Sequence, residues 1–220
     1  MIEDAIDRRR LVTGTIVAGV STAGQSDAAQ GNLERPIMNN DLNADEILKL
    51  LDLQPNATCG FVRVSFVSKH AIGKGGLPAP FEDQRPLGSA LYFMVTTVAP
   101  VRLHRIRNDQ LYHYYLGDPI ETILLHSDGS FEKIIVGPDL HAGHRLQLLI
   151  PGNTFHTARL LGRQRWFLGA STEWPGVIPA DVELGQLEEL ANKYPAVAPD
   201  LRAIAASEQH TVPTGPGRPR

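Results

Sequence analysis

Two stretches of this chain concentrate side chains able to handle protons or hold an ion. The first is His104-Arg-Ile-Arg-Asn-Asp-Gln110-Leu-Tyr-His-Tyr-Tyr-Leu-Gly117, spaced His-x5-Gln-x6-Gly, and the second is Pro151-Gly-Asn-Thr-Phe-His156, spaced Pro-x4-His. An imidazole changes charge near neutral pH and also ligates metals, so His104 and His156 suit a general base or a ligand. Tyr112 and Tyr114 offer hydroxyls that can line a pocket or donate a proton. Arg63 and Arg105 can each clamp a carboxylate or phosphate in bidentate fashion, although a surface ion pair is the commoner fate of such a residue. His141 and His144 share a His-x2-His spacing in a glycine-rich turn, where solvent exposure is the expectation. Cys59 is a single thiol, so no intrachain disulfide and no cysteine-rich zinc site can form.

Short strands must position these groups. From Gly60 to Leu184 the chain alternates β-branched and aromatic runs with turn signals such as Gly117-Asp118-Pro119, Ser127-Asp128-Gly129, Gly137-Pro138-Asp139 and Pro151-Gly152-Asn153. The runs are Phe61 to Val67, Ser89 to Val98, Leu111 to Leu116, Glu121 to Leu125, Phe131 to Val136, Leu146 to Ile150, His156 to Leu161 and Trp166 to Ala170. Their spacing predicts an all-β sandwich or barrel. Alternation places Gln110, Tyr112 and Tyr114 on one face and turns His113 and Tyr115 away; it also groups His104 with Arg102 and Ile106. Asn43 caps a short N-terminal helix whose apolar stripe is Ile47, Leu50 and Leu51. Helical spacing returns from Gln186 to Ala206, with a break at Tyr194-Pro195.

The composition narrows the class. The 220 residues include 20 glycines and 16 prolines, with a net charge of −3. That balance favours a turn-rich globular fold and argues against a nucleic-acid partner, which would need a concentrated basic surface. No apolar run is long enough to span a membrane. At the N-terminus Arg8-Arg9-Arg10 precedes a mildly apolar run and small residues near Ala23 and Ala28, a pattern similar to a twin-arginine export signal. On that reading residues 1–29 form the signal, 30–40 a linker, 41–207 the organised domain and 208–220 a disordered, proline-rich tail. The protein is then expected in the periplasm, and otherwise in the cytoplasm.

The paired stretches resemble the two signature motifs of the cupin superfamily, His-x-His-x3–4-Glu-x6-Gly and Pro-x-Gly-x2-His. The likeness extends from about Asn43 to Ala206 and is similar to a branch of that superfamily whose domain has unknown function. It runs through Gln54-Pro-Asn-Ala-Thr-Cys-Gly60, Leu91-Tyr92-Phe93, the block from His104 to Gly117, Asp128-Gly129, Gly137-Pro-Asp139, Gly143, Gln147 and Pro151. The resemblance implies a jelly-roll β-sandwich/barrel with a short N-terminal helix and C-terminal helices, a small-molecule pocket between its sheets, and a homodimer. It implies His104, Gln110 and His156 as the ligand set for a divalent metal (Fe, Mn, Ni or Zn). It also departs from the motifs. Gln110 stands where the motif has Glu, and Ile106 stands where it has the second His, so one charge and one ligand are missing. In such a pocket His104 and His156 are candidate catalytic bases, with Tyr112 and Tyr114 as donors. Arg63, Tyr92, Arg105 and Gln147 are candidate ligand-binding residues. Three readings stay open: an isomerase- or epimerase-like or metal-dependent enzyme acting on a small polar, sugar- or acid-like substrate; a non-catalytic binder; and a structural protein with a vestigial pocket.

Overall fold

A computed structural model describes residues 42–208 apart from 82 and 164. The expected export signal and linker, and the tail beyond residue 208, lie outside the described residues. Two antiparallel sheets face each other. One holds, in spatial order, β1 (Gln54–Pro55), β2 (Phe61–Val67), β5 (Ser89–Thr96), β12 (Trp166–Trp174), β7 (Asp109–Gly117) and β10 (Gln147–Ile150). The other holds β13 (Val182–Leu184), β6 (Val101–Ile106), β11 (Phe155–Leu160), β8 (Ile120–Leu125) and β9 (Phe131–Val136). A two-stranded ribbon of β3 (Ala71–Ile72) and β4 (Arg85–Pro86) completes the β-structure. This is the expected all-β jelly roll.

Alternating side chains from both sheets fill the space between them. Phe93, Val95, Tyr112, Leu148, Ile150 and Phe167 from the first sheet meet Val101, Ile120, Leu124, Ile134, Val136 and Ala158 from the second. The intervening residues pack outward, and each sheet has its own helical cover. Helix α1 (Ala44–Leu50) starts in a capping box, in which Asn43 Oδ1 accepts from the Glu46 amide at 3.0 Å and Glu46 Oε2 accepts from the Asn43 amide at 2.9 Å. Its Ile47 packs with Met94, Trp166 and Leu168 on the outer face of the first sheet. Helices α2 (Leu187–Lys193) and α3 (Ala198–Ser207) bury Leu190, Leu201 and Ile204 against Ile123 and Leu125, on the outer face of the second. These helices therefore cover the outer face of the second sheet.

Two irregularities aim the interior side chains. Between β11 and β6, His156 opposes His104 while Ala158 opposes Val101, so β6 carries an extra residue and bulges. Val101 and His104 then both face inward, and Arg102 leaves the expected face to pair with Glu208 at 3.0 Å. Between β12 and β7 the register shifts at Leu168/Gly169, where a side chain on Gly169 would collide with the His113 carbonyl oxygen. Behind the strand ends a buried ion pair, Arg85 with Asp181, ties β4 to the 3-10 turn Pro179–Asp181.

Candidate functional site

The cross-strand pair of β6 and β11 sets His104 directly beside His156. Their ring centroids are 4.2 Å apart and the planes are inclined at 55°. Both rings are buried inside the sandwich. From the opposite sheet Tyr112 reaches across, its hydroxyl 3.1 Å from His156 Nε2. The two motif stretches thus converge on one interior cluster.

Hydrogen bonds fix the proton positions. His104 Nδ1 lies 2.7 Å from the Arg102 carbonyl oxygen, and His156 Nδ1 lies 3.2 Å from that of Thr154. A carbonyl oxygen only accepts, so each Nδ1 carries the hydrogen and each Nε2 presents a lone pair inward. Tyr112 then donates to His156 Nε2, while His104 Nε2 has no hydrogen bond within the described residues. Burial disfavours the charged imidazolium, pushing His104 down to about 4 against the slight help of its carbonyl partner. His156 is driven well below the ordinary histidine value, first by burial and then by the neighbouring His104. Burial, with the charges of Cys59 and Glu173 nearby, raises Tyr112 well above the usual phenol value. Cys59, with Sγ 3.9 Å from the Tyr112 hydroxyl oxygen, is pushed up to about 11 by the same desolvation. At neutral pH these four side chains are uncharged.

Gln110 lies on the same inward face of β7, nearly buried, and its amide makes no hydrogen bond within the described residues. Its register partner on β12 is Glu173, a residue that sequence reasoning missed. The run from Trp166 was expected to end at Ala170, but β12 continues to Trp174 and carries Ser171 and Glu173 inward. Glu173 is 3% exposed, accepting from Ser171 Oγ at 2.5 Å and from Ser89 Oγ at 2.7 Å. Burial raises its carboxyl above the ordinary value, against the lowering effect of both serines. Asp109 and Glu121, acids of the neighbouring strands, are committed elsewhere: Asp109 Oδ1 accepts from the Gly152 amide and Glu121 pairs with Arg159.

The structure does not bring the remaining sequence candidates to this cluster. Tyr114 faces inward, but its hydroxyl donates to the Gly117 carbonyl at 2.8 Å and its ring packs on Phe167, away from the histidines. Arg63, Tyr92, Arg105 and Gln147 all point to outer faces. The Arg63 guanidinium sits 5.5 Å from the Tyr92 ring centroid, and Tyr92 packs with the α1 cluster. Arg105 holds Glu183 through Nε and Nη2 and covers the Phe155 ring. Gln147 Nε2 bonds His113 Nδ1, whose other ring nitrogen bonds Thr172 Oγ1. The reason is the pleat: Val62, Phe93, His104 and Leu148 face inward, so their immediate neighbours cannot. Hollows of about 120 and 220 Å³ lie against α3, and no sequence candidate lines either.

A divalent metal here would need His104, Gln110 and His156 as its ligands. Both imidazoles have the carbonyl-anchored orientation that a metal ligand needs. However, His156 Nε2 is taken by Tyr112, Gln110 is neutral, and among the described residues no three of His, Cys, Asp and Glu gather to hold an ion. A divalent cation held by His104, Gln110 and His156 alone would have no charged ligand and would forfeit the Coulomb attraction that offsets its desolvation. His104, Gln110 and His156 do not fit a tightly held metal.

Residues 45–185 match the family model described as Cupin superfamily (DUF985). The chain belongs to this family. A cupin of this branch is thus established over most of the described residues. The fold is similar to that of a solved protein from Shewanella oneidensis, at 26% identity over 74% of this chain and 97% of that one, with a TM-score of 0.65. It is also similar to a hypothetical protein from Leishmania major, at 21% identity over 74% of this chain and 98% of that one, with a TM-score of 0.67. No curated protein matches. Among the described residues no helix of this cupin is long and apolar enough to cross a membrane.

Proposed function

We propose that this cupin binds a small polar molecule between its sheets and exchanges a proton with it, in chemistry of the isomerase or epimerase kind. The observation that carries the reading is the convergence of His104, His156 and Tyr112, with one imidazole lone pair free and the other fed by a phenol. A neutral His104 Nε2 can take a proton from a ligand carbon or hydroxyl, and Tyr112 can deliver one from the opposite sheet. Exclusion of water strengthens each of these contacts, since their energies scale inversely with the local dielectric. The homodimer and the periplasmic location inferred from the sequence remain part of the proposal.

Passive binding is the second reading, favoured by the low proton affinity of His104, which makes it a weak base. The two separate in heavy water. Amino acids, keto acids and sugar nucleotides are incubated with the protein, and their carbon-bound protons are followed by NMR. Exchange that disappears in His104→Ala/His156→Ala supports catalysis. Binding that disappears in the same variant without any exchange supports the passive binder. Binding or exchange untouched by the double substitution overturns the site itself. Metal analysis of chelator-free, tag-free protein is expected to give substoichiometric content; near-stoichiometric metal lost in the double variant would restore a metal site.

A further inference from the structure

The interior has a charge imbalance that points to a class of ligand. Both oxygens of Glu173 accept serine hydroxyls, at 2.5 and 2.7 Å, the short spacing of hydrogen bonds to an ionised acceptor. Ser89 Oγ also accepts from the Val177 amide at 3.1 Å, which leaves its hydrogen committed to the carboxylate. Two serines are therefore built to hold an anion, yet among the described residues no Lys or Arg pairs with Glu173. Arg102, Arg105 and Arg159 are paired with Glu208, with Glu183, and with Glu121 and Asp200, and Arg85 bonds Asp181 through Nη1 while its Nε and Nη2 have no partner among the described residues. A buried carboxylate without a counter-ion is costly.

The surroundings supply an amide and an imidazole lone pair, with no Lys or Arg bonded to the carboxylate among the described residues. Gln110, the register partner of Glu173, is 5% exposed with an unpartnered amide, and His104 Nε2 presents a lone pair. Ser171, whose hydroxyl donates to Glu173, is the register partner of Tyr112, which places the carboxylate in the same polar interior as the rings. We infer that the ligand of this interior carries a protonated amine, which Glu173 pairs with and which Gln110 and His104 help to bind. This rests on the ligand-binding reading above and narrows it: carboxylates and phosphates would meet an anion with nothing to neutralise them, and an uncharged sugar could offer it only a hydroxyl.

Matched probes test the charge alone. 2-Aminoethanol, ethylene glycol and glycolate form one set, and glucosamine, glucose and glucuronate another; each is titrated into the full chain at neutral pH and followed by NMR. The amine is expected to bind about tenfold more tightly than its neutral counterpart, the gain of one charge-assisted over one neutral hydrogen bond. Glu173→Gln should bring the two within about twofold, while Glu173→Asp, which keeps the charge, should retain the preference. Should Glu173→Gln fail to fold, the order amine, neutral, carboxylate in the unaltered protein still decides. A neutral or anionic probe that binds best, with dependence on His104 and His156, overturns the amine assignment and leaves the binding reading standing. Probe binding indifferent to His104 and His156, or no binding by any probe, overturns both. A Glu173-dependent shift produced by Zn2+ or Mn2+ and not by the amines also overturns the amine assignment.

Discussion

The inward and outward faces of the same strands carry similar side chains in opposite conditions. On the outward faces polar residues find partners: Arg105 holds Glu183, Gln147 holds His113, and His113 holds Thr172, while Arg63 lies over the Tyr92 ring. On the inward faces His104 Nε2 and the Gln110 amide have none among the described residues, and Glu173 has hydroxyls but no cation. Water fills the remaining valences outside at little cost, whereas inside each open group costs free energy. Residue type therefore says little about function in this chain. Convergence says more: buried Thr96, Asn108 and Thr122 side chains also have atoms without partners, whereas His104, His156 and Tyr112 meet in one cluster.

The largest expected difference between the faces is in acid. The inward histidines have folded-state proton affinities below the unfolded value of 6.5. Between pH 6.5 and about 4 the unfolded chain takes up protons that the folded chain refuses, so stability falls as pH falls through that window. His104 alone accounts for about 3 kcal/mol over it, and His156 adds in the same direction. Glu173 opposes them, since a raised carboxyl binds its proton more readily in the folded state just above its ordinary range. Denaturant unfolding at several pH values should show the loss. His104→Gln should flatten the slope and Glu173→Gln should steepen it. A slope that His104→Gln leaves unchanged would mean the interior is not dry.

Smaller, and confined to the inner face, is the effect of Tyr112→Phe. The ring keeps its packing against Phe93, at 4.8 Å between centroids, while His156 Nε2 loses its donor. A buried acceptor left unmet costs about 1–2 kcal/mol. The chemical shift of the His156 ring nitrogens should move with it. Unaltered stability together with an unaltered ring signal would place a different donor on His156.

The outer architecture was readable because turn residues and strand runs are local signals. Asn43 and Glu46 announce the start of α1, and the glycine- and proline-rich turns fall between the strands as expected. Three parts of the interior were not readable, each for a physical reason. The extra residue in β6 is set by pairing with β11, so the strand parity that grouped Arg102 with His104 could not be seen in β6 alone. The end of β12, Ser171-Thr172-Glu173, lacks apolar alternation because its inner face is polar, so the sequence pattern ends the strand at Ala170. Glu173 vanished with it. The outward orientation of Tyr92 is hidden because β5 is apolar on both faces, α1 covering the outer side, so Leu91-Tyr92-Phe93 shows no clean period; Arg63 alternates cleanly with Val62 and Val64, and that period already turns it away from the inner face.

The smallest expected effect is the one most able to break the comparison. Arg105 follows His104 in sequence, lies 35% exposed by side chain, and meets a Glu183 carboxylate that is 54% exposed. Such a pair is screened by water and salt, and with the guanidinium over Phe155 it contributes less than about 1 kcal/mol. Arg105→Ala should therefore barely change the unfolding midpoint, and it should leave the affinity of any interior ligand within about twofold. His104→Ala, one residue away on the opposite face, should abolish that affinity. A shared loss in both variants would mean that the ligand touches the outer side of β6 and that the pleat does not divide function from scaffold. Loss in His104→Ala alone would assign binding to the inward face, since the two substitutions differ chiefly in which way the strand turns them.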